Sequence, residues 1–574
     1  MLSNSVAGGA LGAAYMTLLM LLMNPALPLT MGAVLPVAAT MALSYGVHVA
    51  VLLYAAYVVR QVFAAAPLSP GWLSLSLLTS SAAVLASIAA VLTWLNGRGF
   101  RTALEPPAAA ALTRTAYTFA MCTVLFLATA VVHATTRKPR SAVAAVFLAT
   151  VAASVVAPLV IRGSGGPRDL PSRRLEVAAA PAAGTPRVVL LLLEGASLDV
   201  VSPAVAEGRL PYFGRLLESG SSMHLATVRP TQPEPVWASL ATGKWPPKHG
   251  IRSSARYWAP GATEPLNLLP DYSFGQALLR FGLLREEPHP AFALGARPLW
   301  QILSSRGLSS GVVGLPLTHP PESVRGFVVS DRFHRSTDPD VELGDRPAVS
   351  PPEASIVAGE ALRAALLPTS RAEPLSIDLP AGGAEVAALR ADRIYHAVAQ
   401  RLAALHDVRL LTIRYQGLDA IGHYYLRFAR PQAFGDVSEA ERRLYGRVLD
   451  EYYGYVDALV GDAMGSLRDE DLLIVVSGFG MEPLSPGQRL VERIAGNARF
   501  SGTHESAPDG FFLAYGSAAA AGRASRGAIV DVTPTILYFL GLPVARDMDG
   551  FARTDIFTGT FNAQRTITFI PTYE

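Results

Sequence analysis

The stretch RVVLLLLEG, residues Arg187–Gly195, is a continuous apolar run that ends in a turn. A run of this kind is typical of a strand that is buried on both faces of a parallel sheet. The same pattern recurs in VRLLTIRYQG (Val408–Gly417) and in DLLIVVSGFG (Asp471–Gly480). Because helical patterns separate these runs, the sequence predicts an open α/β sheet whose ligands bind at the carboxyl ends of the strands. The helical patterns lie at Glu353–Leu366, Ala388–Ala404 and Glu439–Leu467.

The N-terminal third of the chain has the composition of a membrane protein. Hydrophobic residues make up 51% of the 574 residues, and they are concentrated in this region. A helix needs about 20 apolar residues to cross the hydrocarbon core of a bilayer. We therefore predict a multi-pass α-helical membrane domain over residues 1–161, with a retained first helix, because Met1–Asn4 lacks the basic residues of a signal peptide. The predicted spans are Val6–Leu29, Met31–Val59, Trp72–Leu95, Tyr117–Ala134 and Ala142–Ile161.

The basic residues in the short loops predict how this domain is oriented. The loop TTRKPRS (Thr135–Ser141) carries three basic residues, and Arg60 falls on the same side of the membrane. The positive-inside rule places these loops in the cytoplasm, although the arginines between the third and fourth spans oppose this arrangement. With five spans, the chain after Ile161 is then expected to lie outside the cytoplasm.

The charge and the cysteine count exclude two classes of function. A net charge of +3 is too small for a basic surface that follows nucleic-acid phosphates, so no nucleic-acid partner is expected. The only cysteine, Cys122, excludes an intrachain disulfide and a thiolate metal cluster.

Polar side chains follow the predicted strands. Asp419 and His423 lie four residues apart in GLDAIGHYY, so a helix would turn both toward one point. His504 lies in the polar loop of SGTHESAPDGFFLAYG. One carboxylate and two imidazoles can form a three-ligand zinc site with an open fourth position. The spacing alone leaves open that these residues are a helix N-cap, a surface histidine and a loop residue, respectively.

From Arg187 to Phe557 the chain resembles the type I phosphodiesterase/nucleotide pyrophosphatase branch of the alkaline phosphatase superfamily. The resemblance implies an alkaline-phosphatase-like α/β domain over about residues 186–560, with a mostly parallel sheet between helices. It also implies a cap or insertion region at about 252–387. A Gly- and Pro-rich linker at 162–185 would precede the domain, and a tail at 561–574 would follow it. The matching stretches are VVLLLLEGASLDVV, GRLPYFGRLLESGSS, RPTQPEPVWASLATGKWPPKHGI, LWQILSSRGLSSGVVGLPLTHPPESVRGFVVSD, GLDAIGHYY, GTHESAPDGFFLAYG and IVDVTPTILYFLGLPVARDMDG.

Members of this superfamily usually hold two metal ions, commonly zinc, and use a Ser or Thr nucleophile. Asp419, His423 and His504 match the ligands of one ion. The positions for the second ion depart from the family pattern: Glu194 replaces an Asp, and Ser477–Gly480 reads SGFG where S-D-H-G is usual. Pro233 stands where the nucleophile is expected. The resemblance therefore implies one zinc ion, or another divalent metal, with Glu194 as a further contact.

Two hypotheses about function follow. The first is a membrane-tethered hydrolase or transferase that acts on a phosphate or related ester, with water or Thr231 as the attacking group and Glu234 as a general base. The second is a catalytically degenerate family member whose pocket binds a lipid-linked or protein partner. The lipid bilayer is a partner under both hypotheses. Thr231 could instead be a turn residue and Glu234 an exposed loop carboxylate.

Overall fold

The computed structural model describes residues 1–63, 72–135, 140–163, 186–273, 275–337, 347–367, 379, 383–494, 496–506 and 508–574. Apart from residues 162 and 163, the predicted linker at 162–185 lies outside these ranges. The described residues form two compact units, one of Met1–Leu170 with Arg252–His289 and one of Pro171–Ile251 with Pro290–Glu574.

Helices account for most of the secondary structure in the described ranges. The α-helices are α1 (Leu2–Met23), α2 (Met31–Met41), α3 (Val47–Phe63), α4 (Leu75–Gly99), α5 (Pro106–Thr135), α6 (Arg140–Arg162), α7 (Leu198–Ala206), α8 (Pro211–Ser219), α9 (Pro233–Thr242), α10 (Pro246–His249), α11 (Gly275–Arg280), α12 (Leu299–Ser305), α13 (Ala354–Leu366), α14 (Ala384–Leu405), α15 (Gly417–Ala429), α16 (Glu439–Tyr445), α17 (Val448–Gly465), α18 (Pro486–Ile494), α19 (Val532–Phe539) and α20 (Gly559–Ala563).

The strands lie mainly in the second unit. They are β1 (Val188–Leu193), β2 (Ser221–Ala226), β3 (Ala255–Trp258), β4 (Arg285–Pro288), β5 (Ser310–Val313), β6 (Gly326–Val329), β7 (Val349–Ser350), β8 (Leu410–Tyr415), β9 (Leu472–Phe479), β10 (Glu482–Pro483), β11 (Gly502–Thr503), β12 (Asp509–Tyr515), β13 (Gly522–Arg523), β14 (Gly527–Ala528), β15 (Val544–Ala545) and β16 (Phe569–Ile570).

The first unit confirms the prediction of five apolar helices. Within the described residues, five helices are long and apolar enough to span a membrane. The second of them is continuous from Met31 to Phe63, because a π-helical turn at Ala42–Gly46 joins α2 to α3. Glycines allow α1 to approach this helix closely, since a Cβ on Gly9 would lie 2.4 Å from the carbonyl oxygen of Gly46. Small residues at such crossings are typical of helix packing in membranes.

Residues 252–289 belong to this first unit rather than to a single cap. They form the antiparallel pair β3–β4 and are held to the loop after α1 by Asn24. The Asn24 Oδ1 atom accepts hydrogen bonds from the backbone N–H groups of Asn267 (2.7 Å) and Leu268 (2.9 Å). Arg252 pairs with Glu105 at the start of α5. The predicted cap at 252–387 is therefore divided, and its second part supplies β5, β6 and β7 to the sheet of the other unit. Strand β5, with the sequence SGVV, is too short to give a pattern that can be recognised in the sequence.

The second unit is built on a largely parallel sheet. In the described ranges, the strand order is β13-β2-β12-β9-β1-β8-β5-β6-β7, with β14 beside β2. The predicted strands are confirmed as β1, β8 and β9, and they are neighbours in the sheet. They pair in parallel, so that Leu193 lies opposite both Tyr415 and Ser477. The carboxyl ends of the central strands therefore meet at one edge, as the sequence predicts for a ligand site.

Helices cover both faces of this sheet. Val189, Leu191 and Leu193 of β1 pack in a core with α13, α14, α15 and α17. The alternate residues Val188, Leu190 and Leu192 pack in a second core with α9, α12 and α19. The apolar run of β1 is continuous because both of its faces are buried.

Two predictions at the periphery need correction. The helix predicted at Glu439–Leu467 is divided into α16 and α17, because α16 ends at Gly446. The predicted tail at 561–574 packs on the domain, since β16 pairs with β15 and the Glu574 side chain accepts a hydrogen bond from Lys244 Nζ (2.9 Å).

We predict that Gly195 is essential for the position of α15. Its φ is +77°, and a Cβ there would lie 2.7 Å from the Cα atom of Asp419. Gly208 has a similar φ of +74° but open space around it. The Gly208→Ala variant should lose about 1–2 kcal/mol of stability from its left-handed backbone alone. The Gly195→Ala variant should lose more, because α15 must also move. Equal melting temperatures for the two detergent-solubilised variants would contradict this prediction.

Candidate metal centre

Asp419, His423 and His504 converge at the carboxyl edge of the sheet. α15 begins directly after β8, and its first two turns bring Asp419 Oδ2 within 3.4 Å of His423 Nε2. His504 follows β11, and its Nε2 atom lies 3.8 Å from Asp419 Oδ1. One ligand atom from each residue lies within 4.8 Å of the other two. The structure thus brings together three of the residues that the sequence singles out.

Backbone carbonyl groups orient both imidazoles. The carbonyl oxygens can only accept, so His423 Nδ1 donates to Gly502 O (2.8 Å) and His504 Nδ1 donates to Thr231 O (2.9 Å). Each ring therefore carries a proton on Nδ1, and its Nε2 atom faces Asp419. A hydrogen bond from the outer ring nitrogen is the usual arrangement of metal-ligating histidines.

The Asp419 carboxylate fits a cation. Its Oδ1 atom is buried and has no hydrogen-bond partner in the described structure. Burial by itself raises the pKa of Asp419, but His423, His504 and Arg414 outweigh it and lower the pKa to about 2. An ionised oxygen and two imidazole nitrogens form a donor set suited to zinc. The residues present therefore fit one divalent ion with an open coordination position.

Aromatic rings flank the two imidazoles. The Phe500 ring stacks on His423 with a centroid distance of 4.6 Å, and the Phe479 ring lies 4.8 Å from His504. Sequence analysis does not identify Phe500, because a single aromatic residue in a loop carries no recognisable pattern. These rings restrict the conformations of the imidazoles and reduce water access to them.

Glu194 lies outside this three-residue group. Its Oε2 atom accepts from Arg414 Nε (2.5 Å) and from Trp237 Nε1 (2.9 Å), and the side chain is 3% exposed. Burial disfavours the charge on Arg414, yet the adjacent Glu194 raises the pKa of Arg414 above its ordinary value. Glu194 is therefore engaged in a buried ion pair. Burial alone would lower the pKa of His423, and the charge of Glu194 helps to raise it. The contact of Glu194 with a metal stays a prediction. The signal that could have revealed the pair is one arginine within the apolar run of β8.

Apolar side chains surround Gly478 and Phe479. A Cβ on Gly478 would lie 2.4 Å from Val236 Cγ1, so the Val236 side chain would have to shift to accommodate it. The Phe479 ring lies between Trp237, at a centroid distance of 6.4 Å, and His504. The segment Ser477–Gly480 thus packs against α9 and His504 through apolar and aromatic contacts.

The hydroxyl groups near Pro233 are bound to backbone carbonyls. Thr231 is fully buried, and its hydroxyl donates to Val228 O (2.9 Å). Ser239 donates to Pro235 O (2.8 Å) and lies 3.0 Å from His249 Nε2. Ile251 N–H donates to His249 Nδ1 (3.2 Å), so the Nε2 atom carries the proton and cannot deprotonate Ser239.

Glu234 occupies the first turn of α9, which begins at Pro233. Its charge acts on Arg414, although less strongly than that of Glu194. Glu234 is a partly buried carboxylate rather than a fully exposed loop residue.

Comparison with known proteins agrees with this architecture. The family model for type I phosphodiesterase / nucleotide pyrophosphatase matches residues 188–529, more than half of the chain. A search of curated proteins finds no matching relative. The match covers the central strands, the segment around Pro233 and all three residues of the candidate metal group. The chain therefore belongs to the type I phosphodiesterase/nucleotide pyrophosphatase family of the alkaline phosphatase superfamily.

Proposed function

We propose that the protein is a membrane-tethered hydrolase or transferase of phosphate esters that uses one divalent ion, preferably zinc. The family domain is that of a phosphate-ester hydrolase, and such domains typically depend on divalent metals. The observation that carries the proposal is the convergence of Asp419, His423 and His504, in which Asp419 Oδ1 accepts no hydrogen bond and both Nε2 atoms face the carboxylate.

A divalent ion in this group would supply Lewis-acid chemistry, polarising a phosphoryl oxygen or a water molecule. The side chains of the protein do the remaining work. His423 and His504 hold their rings through the carbonyl groups of Gly502 and Thr231, so little reorganisation is needed on binding. Glu234 is the candidate to accept the proton of an attacking water, while the ester P–O bond breaks and the leaving oxygen takes a proton.

Arg414 supports the proposal of a single ion. A buried carboxylate such as Glu194 requires a positive partner, because an unpaired buried charge is strongly destabilising. Arg414 supplies that charge at 2.5 Å. A second cation is therefore not needed to neutralise Glu194.

The alternative function is a catalytically degenerate protein that binds a lipid-linked or protein partner. It is favoured by the hydroxyls of Thr231 and Ser239, which both donate to backbone carbonyls. Turnover of aryl phosphate mono- or diesters by the purified chain discriminates between the two functions.

The membrane part of the proposal rests on the five apolar helices and on loop charge. We place the family domain outside the cytoplasm. A reporter that is active only in the cytoplasm, fused after Glu574, should therefore give no signal.

The metal group predicts a specific stoichiometry. The purified chain should contain about one zinc or similar ion, because three protein ligands suffice for a site with an open position. The His423→Ala variant should lose it. The His224→Ala variant, altered at a partly exposed histidine on β2 outside the group, should retain it. Elemental analysis of the chains measures this, and two tightly bound ions in the unaltered protein would contradict the proposal.

The Glu194–Arg414 pair predicts a non-additive effect on stability. The Arg414→Met variant leaves a buried carboxylate without its partner and should lose about 3–5 kcal/mol. Adding Glu194→Gln should restore much of the loss, because no unpaired charge remains. Arg209→Met removes an exposed pair with Glu207 and should cost less than about 1 kcal/mol. A double variant no more stable than Arg414→Met alone would exclude this role.

The attacking group can be tested with two variants. If Glu234 is the general base, Glu234→Gln should lower kcat by about 10²–10⁴-fold. Thr231→Val keeps the shape of the side chain but removes the hydroxyl, and it should change kcat only a few-fold. Steady-state hydrolysis of aryl phosphate esters measures both rates. A large loss in Thr231→Val with little loss in Glu234→Gln would instead identify Thr231 as the nucleophile.

A further inference from the structure

Helix α18 exposes its apolar residues. Leu490, Val491 and Ile494 are 61%, 42% and 78% exposed, and none of the residues of α18 is buried. Their spacing of three and four residues places them on one ridge of the helix. A helix on the surface of a soluble domain normally directs such a ridge into the core. In α18, by contrast, the apolar side faces outward and the polar side faces the domain.

Polar contacts fix this reversed orientation. Arg489 donates to Phe434 O (3.2 Å) and places its guanidinium 5.1 Å from the centre of the Phe434 ring. Arg493 pairs with Asp436 at 3.2 Å. These contacts hold the basic side of α18 against the domain. The apolar ridge points to solvent because the opposite side is bound, rather than because the helix lacks contacts.

The features around the ridge favour a lipid surface as its occupant. The chain carries five helices that are long and apolar enough to span a bilayer, so the domain is tethered close to lipid at a high effective concentration. Three side chains offer much less than the ~800 Å² per partner of a stable protein interface.

We propose that α18 docks on the membrane by inserting Leu490, Val491 and Ile494 into the lipid surface. The occupant is a lipid bilayer, which the apolar helices of the same chain hold at a high local concentration. Docking is independent of turnover, but it rests on the membrane tether of the proposed function. It brings lipid close to the metal centre, since Gln488 Nε2 of α18 donates to Glu505 Oε2, beside His504, at 3.3 Å.

The test uses the full chain with a single fluorescent label. Cys122 is the only cysteine and is buried, so Cys122→Ala provides a background for labelling. An environment-sensitive thiol dye is attached to Ile494→Cys, and one chain is placed in each nanodisc of phosphatidylcholine and phosphatidylglycerol. The matched control is Ala521→Cys, an exposed position in the connection after β12, at the opposite edge of the sheet from His504.

The proposal predicts opposite quenching at the two positions. The label at residue 494 should lose most of its fluorescence to nitroxide-bearing lipids and be protected from aqueous iodide, whereas the label at 521 should show the reverse. Adding Leu490→Glu should reduce lipid quenching at 494, and Leu490→Met should preserve it.

Two results would overturn the proposal. Quenching of the 494 label by iodide and not by lipid would show that the ridge faces water. Protection from both quenchers would show that protein covers the ridge.

Discussion

The ion pair between Glu194 and Arg414 joins the ends of the two central strands. β1 and β8 are neighbours. Glu194 follows β1 and Arg414 is next to last in β8, and either side chain alone would place a charge in an apolar interior. Such a charge is costly unless it is paired and hydrogen-bonded. Trp237 Nε1 donates to the same carboxylate oxygen, so the pair also fixes α9 against the edge of the sheet. The charge of Glu194 is thus neutralised within the fold by Arg414.

The geometry of the candidate metal group does not depend on the Glu194–Arg414 pair. The backbone carbonyl groups of residues 502 and 231 orient its imidazoles, and the position of its carboxylate is set by the first turn of α15. The side chain of Thr231 is not required for this, since the carbonyl group makes the contact. The side chain at position 233 makes none of these contacts. The geometry of the candidate group thus depends on these two carbonyl groups and on α15.

Sequence reasoning succeeded where one local pattern determines the result. β1, β8 and β9 follow from apolar runs buried on both faces, and the Asp419–His423 pair follows from helical spacing. The contacts that it missed depend on the tertiary fold. Nothing near Glu194 in the sequence identifies Arg414, 220 residues later, as its partner. The division of the predicted cap was missed for a similar reason, because the assignment of 252–289 depends on polar contacts such as those of Asn24.

The orientation of α18 shows a further limit of periodicity. A helical pattern states which residues share a face, but it does not state which face is turned inward; that depends on partners such as Phe434 and Asp436. In α18 these partners bind the arginines. The helix lies in the chain between β10 and β11, which pair through Glu482 and Thr503, directly before His504. Force on α18 at a lipid surface would therefore reach His504 through a short, hydrogen-bonded path. That connection is where the docking proposed for α18 would act on the candidate metal ligands.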